Sequence, residues 1–215
     1  MGLIAPKALL FDWDNTLVDT WPCIGRATNI TREAFGLTPW TMAEMRLHIA
    51  GSLRDTFPKI YGNRWEEARE TYLATFAAIH LDMLRALSDA ERLLRAARGA
   101  GIYMGVVSNK TGSYLRAEAT HLGWTGLFGA LVGAQDAVRD KPDPAPIHLA
   151  LNGSGITPGP DVWFIGDAPI DAACGKAAGC TTIGVGPEPW EHPKADHHVT
   201  DCAALAALIA GFDAP

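Results

Sequence analysis

The stretch Lys7-Ala8-Leu9-Leu10-Phe11-Asp12-Trp13-Asp14-Asn15-Thr16 is an apolar run that ends in two carboxylates one residue apart. A short apolar run with charged residues at both ends reads as a buried strand that delivers acid to its tip. Side chains of a strand repeat every second residue, so Asp12 and Asp14 leave the sheet on the same side if the extended geometry continues past Phe11. Two like charges that close repel. Such a pair persists where a cation neutralises it or where one member holds a proton. Taken alone, the same residues also make an ordinary solvated turn, with Asn15 and Thr16 as turn and cap residues. The rest of the chain decides between these readings.

Working outward, short β-rich runs recur at Ile102 to Val107, Ala130 to Gly133, Val162 to Ile165 and Thr182 to Val185, each followed by a polar or Gly-rich loop. Between them lie helical patterns: Asp89 to Arg98 with Gly99 as stop, Ser113 to Leu122 with Gly123, Pro144 to Leu151, and Pro169 to Ala178 with Gly179. Strand and helix alternating in this way predict a doubly wound α/β core with a mainly parallel sheet. From residue 17 to 87 no strand is legible, only helical patterns separated by Gly36-Leu37-Thr38-Pro39 and Tyr61-Gly62-Asn63. The expected organisation is therefore a core domain of residues 1–16 and 88–215 with an all-helical insertion of residues 17–87. In the insertion, Asn63 with Glu66 predicts an N-cap and its reciprocal acid at the head of a long helix. Met42, Met45 and Met83 are expected to be packing residues.

Bulk properties narrow the function classes. The 215 residues, 48% of them hydrophobic, suffice for one well-buried core with a modest insertion. Eighteen Lys and Arg against 24 Asp and Glu leave a formal charge of −6, with the basic residues scattered, which argues against a nucleic-acid partner. Cys23, Cys174, Cys180 and Cys202 show neither CxxC pairing nor metal-ligand spacing, so reduced thiols are expected. No apolar stretch is long enough for a signal peptide before Asp12 or for a membrane span elsewhere. The run from Ala203 to Ala210 reads as a docked terminal helix, and the His197-His198 pair as part of a final short strand. A soluble cytoplasmic protein, monomeric or homodimeric, is the expectation.

In open α/β sheets ligands bind beyond the carboxyl ends of the strands, so the residues after each apolar run carry the function. Asp12, Asp14 and Thr16 follow the first run. Ser108, Asn109 and Lys110 follow the second and bring a hydroxyl and backbone N–H groups. Asp140-Lys141-Pro142-Asp143-Pro144 places an ammonium beside a helix start, and Gly166-Asp167-Ala168-Pro169-Ile170-Asp171 puts an acidic loop at another. Each fragment alone is also an ordinary turn or cap. Converging at strand tips, three carboxylates, a lysine and a hydroxyl suit an oxygen-loving Mg²⁺ and a phosphoryl group.

At these residues the chain resembles the haloacid dehalogenase superfamily of hydrolases, in particular its phosphoglycolate-phosphatase-like branch, over nearly its whole length. Asp12-Trp13-Asp14-Asn15-Thr16 resembles the first family motif, DxDxT; Val106-Val107-Ser108-Asn109 the second; Lys141-Pro142 the third; and the loop from Gly166 to Asp171 the fourth, GDxxxD. The helical insertion resembles the family's small cap. The resemblance implies that Asp12 is the nucleophile and Asp14 the acid and base. It implies Mg²⁺ held by the Asp12 carboxylate, the Asp14 backbone carbonyl and Asp167, phosphoryl binding by Ser108 and Lys141, and support of metal and lysine by Asp171 from one layer out. Thr16 and Asn109 shape the loops around the substrate. His48-Ile49-Ala50-Gly51-Ser52-Leu53-Arg54 is similar to the cap loop that faces the site in related enzymes, which makes Arg54 a candidate for binding a substrate anion. The substrate so implied is a small phosphorylated metabolite, with 2-phosphoglycolate a candidate. Alternatives are a phosphomutase, a phosphonate hydrolase using Lys59, and a non-catalytic binding protein. Where many family phosphatases have Gly, this chain has Asn15, a residue that tolerates left-handed backbone.

Overall fold

The computed structural model describes residues 2–49, 52–187, 189–190 and 193–212. Its elements in chain order are β1 (Ala8–Phe11), β2 (Val18–Asp19), α1 (Trp21–Ala34), α2 (Met42–His48), α3 (Leu53–Tyr61), α4 (Trp65–Met83), β3 (Arg85–Ala86), α5 (Ala90–Gly99), β4 (Tyr103–Thr111), α6 (Gly112–His121), β5 (Ala130–Ala134), α7 (Ala145–Leu151), β6 (Val162–Gly166), α8 (Pro169–Ala177), β7 (Thr181–Val185), β8 (His197–Val199) and α9 (Cys202–Ala210). The chain divides into two compact units, one running to Val18 and resuming at Ala86, the other Asp19–Arg85.

In the first unit six strands run in the order β5-β4-β1-β6-β7-β8, every pairing parallel. Phe11 at the end of β1 is in register with Val106 of β4 and Ile165 of β6. All four β1 side chains are fully buried, and Leu9, Leu10 and Phe11 each contribute about 1.5–3 kcal/mol by burial. Ala8, Leu10, Val162 and Phe164 share a core with Ile147, Ala150 and Leu151 of α7 and Cys174 of α8. Alternation turns Trp163 to the opposite face, where it meets Phe212 just after α9 at 5.5 Å between ring centroids. Helices therefore cover both faces, as a parallel sheet requires. From β1 the chain moves outward through β4 and β5 on one side and then through β6, β7 and β8 on the other. That reversal beside β1 opens a crevice beyond its carboxyl end.

Three local expectations are corrected. β4 does not stop at Val107 but runs to Thr111, with its register against β5 slipping between Val107 and Thr111; such a bulge re-aims the side chains it contains. β2 and β3 pair as a two-stranded sheet at the bounds of the helical segment, where no strand was legible because two residues are too few to show a period. Asn63 does not cap α4: it lies in a 3₁₀ turn, Gly62–Arg64, and Arg64 occupies the cap position and pairs with Glu67 at 3.0 Å. Met45 is buried and Met42 41% exposed, and the sulfurs of both lie against Gly25, 3.1 and 3.4 Å from where its Cβ would be.

The second unit is helical apart from its boundary strand residues. α1 and α3 both pack on α4. Tyr72, Phe76 and His80 recur every fourth residue on α4, so their rings stack in a ladder, 5.8 and 5.1 Å apart, and Phe57 of α3 meets Tyr72 edge-on. A capping box opens α2, with Glu44 N–H donating to Thr41 Oγ1 and Thr41 N–H donating to Glu44.

Candidate active site

The register places three strand tips side by side: Asp12 after β1, Ser108 in the bulged end of β4, and Asp167 after β6. Asp12 is anchored by its N–H donating to Ile165 carbonyl at 2.8 Å. Asp12 is 7% exposed, and its carboxylate receives Lys141 Nζ at Oδ1, 2.7 Å away. The same ammonium donates to Asp171 Oδ1 at 2.7 Å. Asp171 takes Ala168 N–H on its other oxygen, at 3.0 Å, at the start of α8. Gly166 is required here, since a Cβ on it would run into the Asp171 carboxylate.

The loop that carries Lys141 is held by Asn109. Its amide nitrogen donates to Lys141 carbonyl at 3.1 Å, and its amide oxygen accepts Lys141 N–H at 3.0 Å. Asn109 thus ties the end of β4 to the lysine loop by its side chain, which makes it a positioning group. The Lys141–Pro142 peptide is cis. Ser108 is buried and its hydroxyl accepts Lys110 N–H at 3.2 Å. Thr16 is buried, its hydroxyl 3.5 Å from Asp167 Oδ1, a weak contact. Asn15 takes φ +62, the left-handed turn that lets the chain double back, with its N–H on Val18 carbonyl.

Electrostatics set the chemistry. Burial pushes the Asp12 carboxyl up to about 6, opposed by Lys141 and reinforced by Asp171 and Asp14. Asp167 is raised well above the usual carboxylate range by burial and then by the charges of Asp12 and Asp171. Burial alone would lower Lys141, but the carboxylates of Asp12 and Asp171 reverse this and hold it charged. Carboxylate oxygens of Asp12, Asp167 and Asp171 lie within 4.8 Å of one another. Crowded all-oxygen donors, two buried and one partly buried, fit a hard divalent cation, whose charge would relieve the repulsion that raises Asp12 and Asp167. Both Asp171 oxygens already accept hydrogen bonds, one from Lys141 Nζ and one from Ala168 N–H.

The Asp14 side chain takes no part in that cluster. Its Oδ1 pairs with Lys110 Nζ at 2.6 Å. Lys110 also donates to both oxygens of Glu118, at 2.9 and 2.7 Å, and Trp13 Nε1 donates to Glu118 Oε2 at 2.7 Å. Lys110 is held above its ordinary value because Asp14 and Glu118 outweigh its burial. Trp13, fully buried, is wedged edge-on against Trp124, 5.8 Å between ring centroids, and Phe128, 6.4 Å. Reading strand tips alone misses Glu118, because it lies mid-helix in α6. Its signal is a carboxylate on the buried face otherwise formed by Leu115 and Ala119.

Arg54 and Lys59 lie on α3 of the helical unit, Arg54 half-buried and Lys59 exposed. Within the loop His48 to Arg54, Ala50 and Gly51 fall outside the described residues. The four cysteines are buried thiols, and burial raises those of Cys174 to about 12 and of Cys180 and Cys202 to about 11. Among the described residues no helix is long and apolar enough to cross a membrane.

A family model described as haloacid dehalogenase-like hydrolase matches residues 9–185. Over 184 residues the chain is 33% identical to the N-acetylmuramic acid 6-phosphate phosphatase of Pseudomonas aeruginosa, covering 83% of this chain and 81% of that protein. It is 30% identical over 182 residues to a phosphoglycolate phosphatase of Xylella fastidiosa, covering 83% and 79%. Among solved structures, a HAD-superfamily hydrolase from Ehrlichia chaffeensis matches with a TM-score of 0.71 at 26% identity, covering 99% of this chain and all of that one.

Proposed function

The chain belongs to the haloacid dehalogenase-like hydrolase family as a phosphoric monoester hydrolase, and from that premise we propose that it is a Mg²⁺-dependent phosphatase of a small-metabolite phosphomonoester, working through an aspartyl-phosphate. The observation that carries this reading is the buried chain Asp12–Lys141–Asp171 beside Asp167. A carboxylate held by an ammonium, next to a cluster of acids suited to a cation, is equipped to attack an anionic phosphate.

Asp12 attacks phosphorus as the ester P–O bond breaks, which forms the aspartyl-phosphate and splits one difficult hydrolysis into two displacements. Asp14 gives a proton to the departing alkoxide, then takes one from the water that opens the aspartyl-phosphate. Asp12 returns as a carboxylate and inorganic phosphate leaves. Ser108 and Lys141 hold phosphoryl oxygens whose charge grows in the transition state. Asp12, the Asp14 carbonyl and Asp167 would hold Mg²⁺, which would supply the positive charge that lets an anionic nucleophile meet an anionic ester. These groups come from one chain, so a second copy is not needed to complete the set. Unreactive buried thiols support a reducing, cytoplasmic setting.

The relatives named above act on phosphate esters of carboxylic acids, N-acetylmuramic acid and glycolic acid. That supports a carboxylate-bearing ester here, 2-phosphoglycolate among the candidates, with Arg54 proposed as the group that reads the second anion. The test is a panel of phosphate esters, including 2-phosphoglycolate, a hexose phosphate and p-nitrophenyl phosphate, assayed with Mg²⁺ and with chelator. Phosphate release that requires the cation and vanishes in Asp12→Asn is expected. An isomerised hexose phosphate in place of free phosphate, or no cation-dependent turnover of any ester, overturns the reading.

A further inference from the structure

We propose that Lys110 is the positioning residue of the proton-transfer group Asp14, and that Glu118, braced by Trp13, holds Lys110 in that task. The inference rests on the phosphatase reading above and adds to it residues that the four motifs leave without a role. Three features of the geometry carry it. Lys110 Nζ is 2.6 Å from Asp14 Oδ1, and its side chain is 4% exposed, so the ammonium has little room to swing. Glu118 is fully buried in α6, and both of its oxygens accept from the same ammonium. Trp13, the residue between the two catalytic aspartates, closes the chain by donating to Glu118 Oε2 at 2.7 Å.

A buried glutamate without a partner would be costly, and two carboxylates sharing one lysine are not the arrangement that maximises stability alone. What the chain does accomplish is a division of labour between two ammonium groups. Lys141 orients the nucleophile Asp12, and Lys110 orients Asp14, so the carboxylates one residue apart are drawn to separate partners instead of to one cation. A carboxyl that delivers a proton to the leaving oxygen as the P–O bond breaks has to be held within hydrogen-bond reach of that oxygen. Lys110 holds one Asp14 oxygen in a 2.6 Å ion pair and thereby restricts where the other can point.

The experiment compares Lys110→Met with the charge-balanced double variant Lys110→Met/Glu118→Gln, which removes the ammonium from Asp14 without stranding the buried Glu118 charge. Single-turnover rates are measured with Mg²⁺ on an alkyl phosphate, whose leaving group needs a proton, and on p-nitrophenyl phosphate, whose leaving group does not. The expected result is a first step slowed on the order of 10²-fold for the alkyl ester but by less than about threefold for the nitrophenyl ester, with KM within about twofold. The second step also needs Asp14, so the variants should release a burst of about one equivalent of nitrophenolate as aspartyl-phosphate accumulates. Equal slowing of both esters without a burst, or a loss confined to KM, overturns the proposal and leaves Lys110 a purely structural ion pair. If the unaltered enzyme turns over neither ester, the phosphatase reading itself has failed. If it turns over both and the variants slow them equally, only the role of Lys110 has.

Discussion

Lys141 Nζ donates to Asp12 Oδ1 at 2.7 Å although 129 positions separate the two residues. The same nitrogen reaches Asp171 Oδ1 at an equal distance. One compact ammonium therefore bridges two carboxylates, one just past β1 and the other in the first turn of α8. Lys141→Met should destabilise the fold by about 3–5 kcal/mol, because it leaves buried charges unpaired, and should lower turnover on the order of 10²–10³-fold. Lys141→Arg should restore stability better than activity, since the larger planar guanidinium keeps the charge but cannot take the position of a compact ammonium. Urea unfolding and phosphate release, measured on the same preparations, separate the two effects.

Asp12 and Asp167 make the protein sensitive to pH and cation together. A carboxyl raised in the folded state, as Asp12 is to about 6, binds its proton more tightly folded than unfolded. Stability of the cation-free protein should therefore fall as pH rises from about 4 to about 6, through the window between the unfolded and folded values. A cation must displace those protons, so its apparent affinity should weaken about tenfold per pH unit for each proton displaced below about pH 6. Melting curves across that range with Mg²⁺ and with chelator should show the Mg²⁺ stabilisation growing toward neutral pH. Stabilisation that is as large at pH 4.5 as at neutrality would rule out Asp12 and Asp167 as the groups being titrated.

Asn15 tests the backbone of the turn that carries Asp12 and Asp14. At φ +62 a β-carbon is strained, and Asn is among the few side chains that adopt this region readily. Asn15→Ala and Asn15→Gly both delete the amide, so the difference between them isolates the conformational cost. The alanine variant should be less stable than the glycine variant by about 1 kcal/mol, or about 2–4 °C in melting temperature for a chain of this size. Equal stabilities would mean that the turn relaxes out of the left-handed region.

The strand tips were legible because each apolar run is closed by a polar residue that the register then brings to one edge: Phe11 by Asp12 and Ile165 by Gly166-Asp167. Chemistry bound to a strand end is written locally. The Lys110–Glu118–Trp13 chain was not legible, because Trp13 and Glu118 are 105 positions apart and no sequence period links a strand tip to the buried face of a later helix. What could be read was the anomaly alone, a glutamate between Leu115 and Ala119 on a face that should be apolar. The expected cap at Asn63 failed for a different reason. Propensity favours Asn before a helix, but Gly62, at φ +56, turns the chain one residue earlier and draws Asn63 into the 3₁₀ turn. Local preference yielded to local backbone geometry, as it does wherever two start signals compete within one turn.

Gly166 couples packing to catalysis most directly. It ends β6, pairs with Gly184 of β7, and a Cβ on it would collide with the Asp171 carboxylate. Asp171 cannot yield cheaply, because one of its oxygens holds Lys141 and the other holds Ala168 N–H. Gly166→Ala should therefore cost about 1–3 kcal/mol from overpacking. It should also shift Asp171 and, through Lys141, disturb Asp12. The signature of that route is a fall in kcat that Asp171→Asn does not deepen further, since residues acting through one network are non-additive when both are changed. The double variant Gly166→Ala/Asp171→Asn, assayed beside each single variant, measures this. If the two losses multiply, Gly166 influences turnover by some path other than the carboxylate it faces.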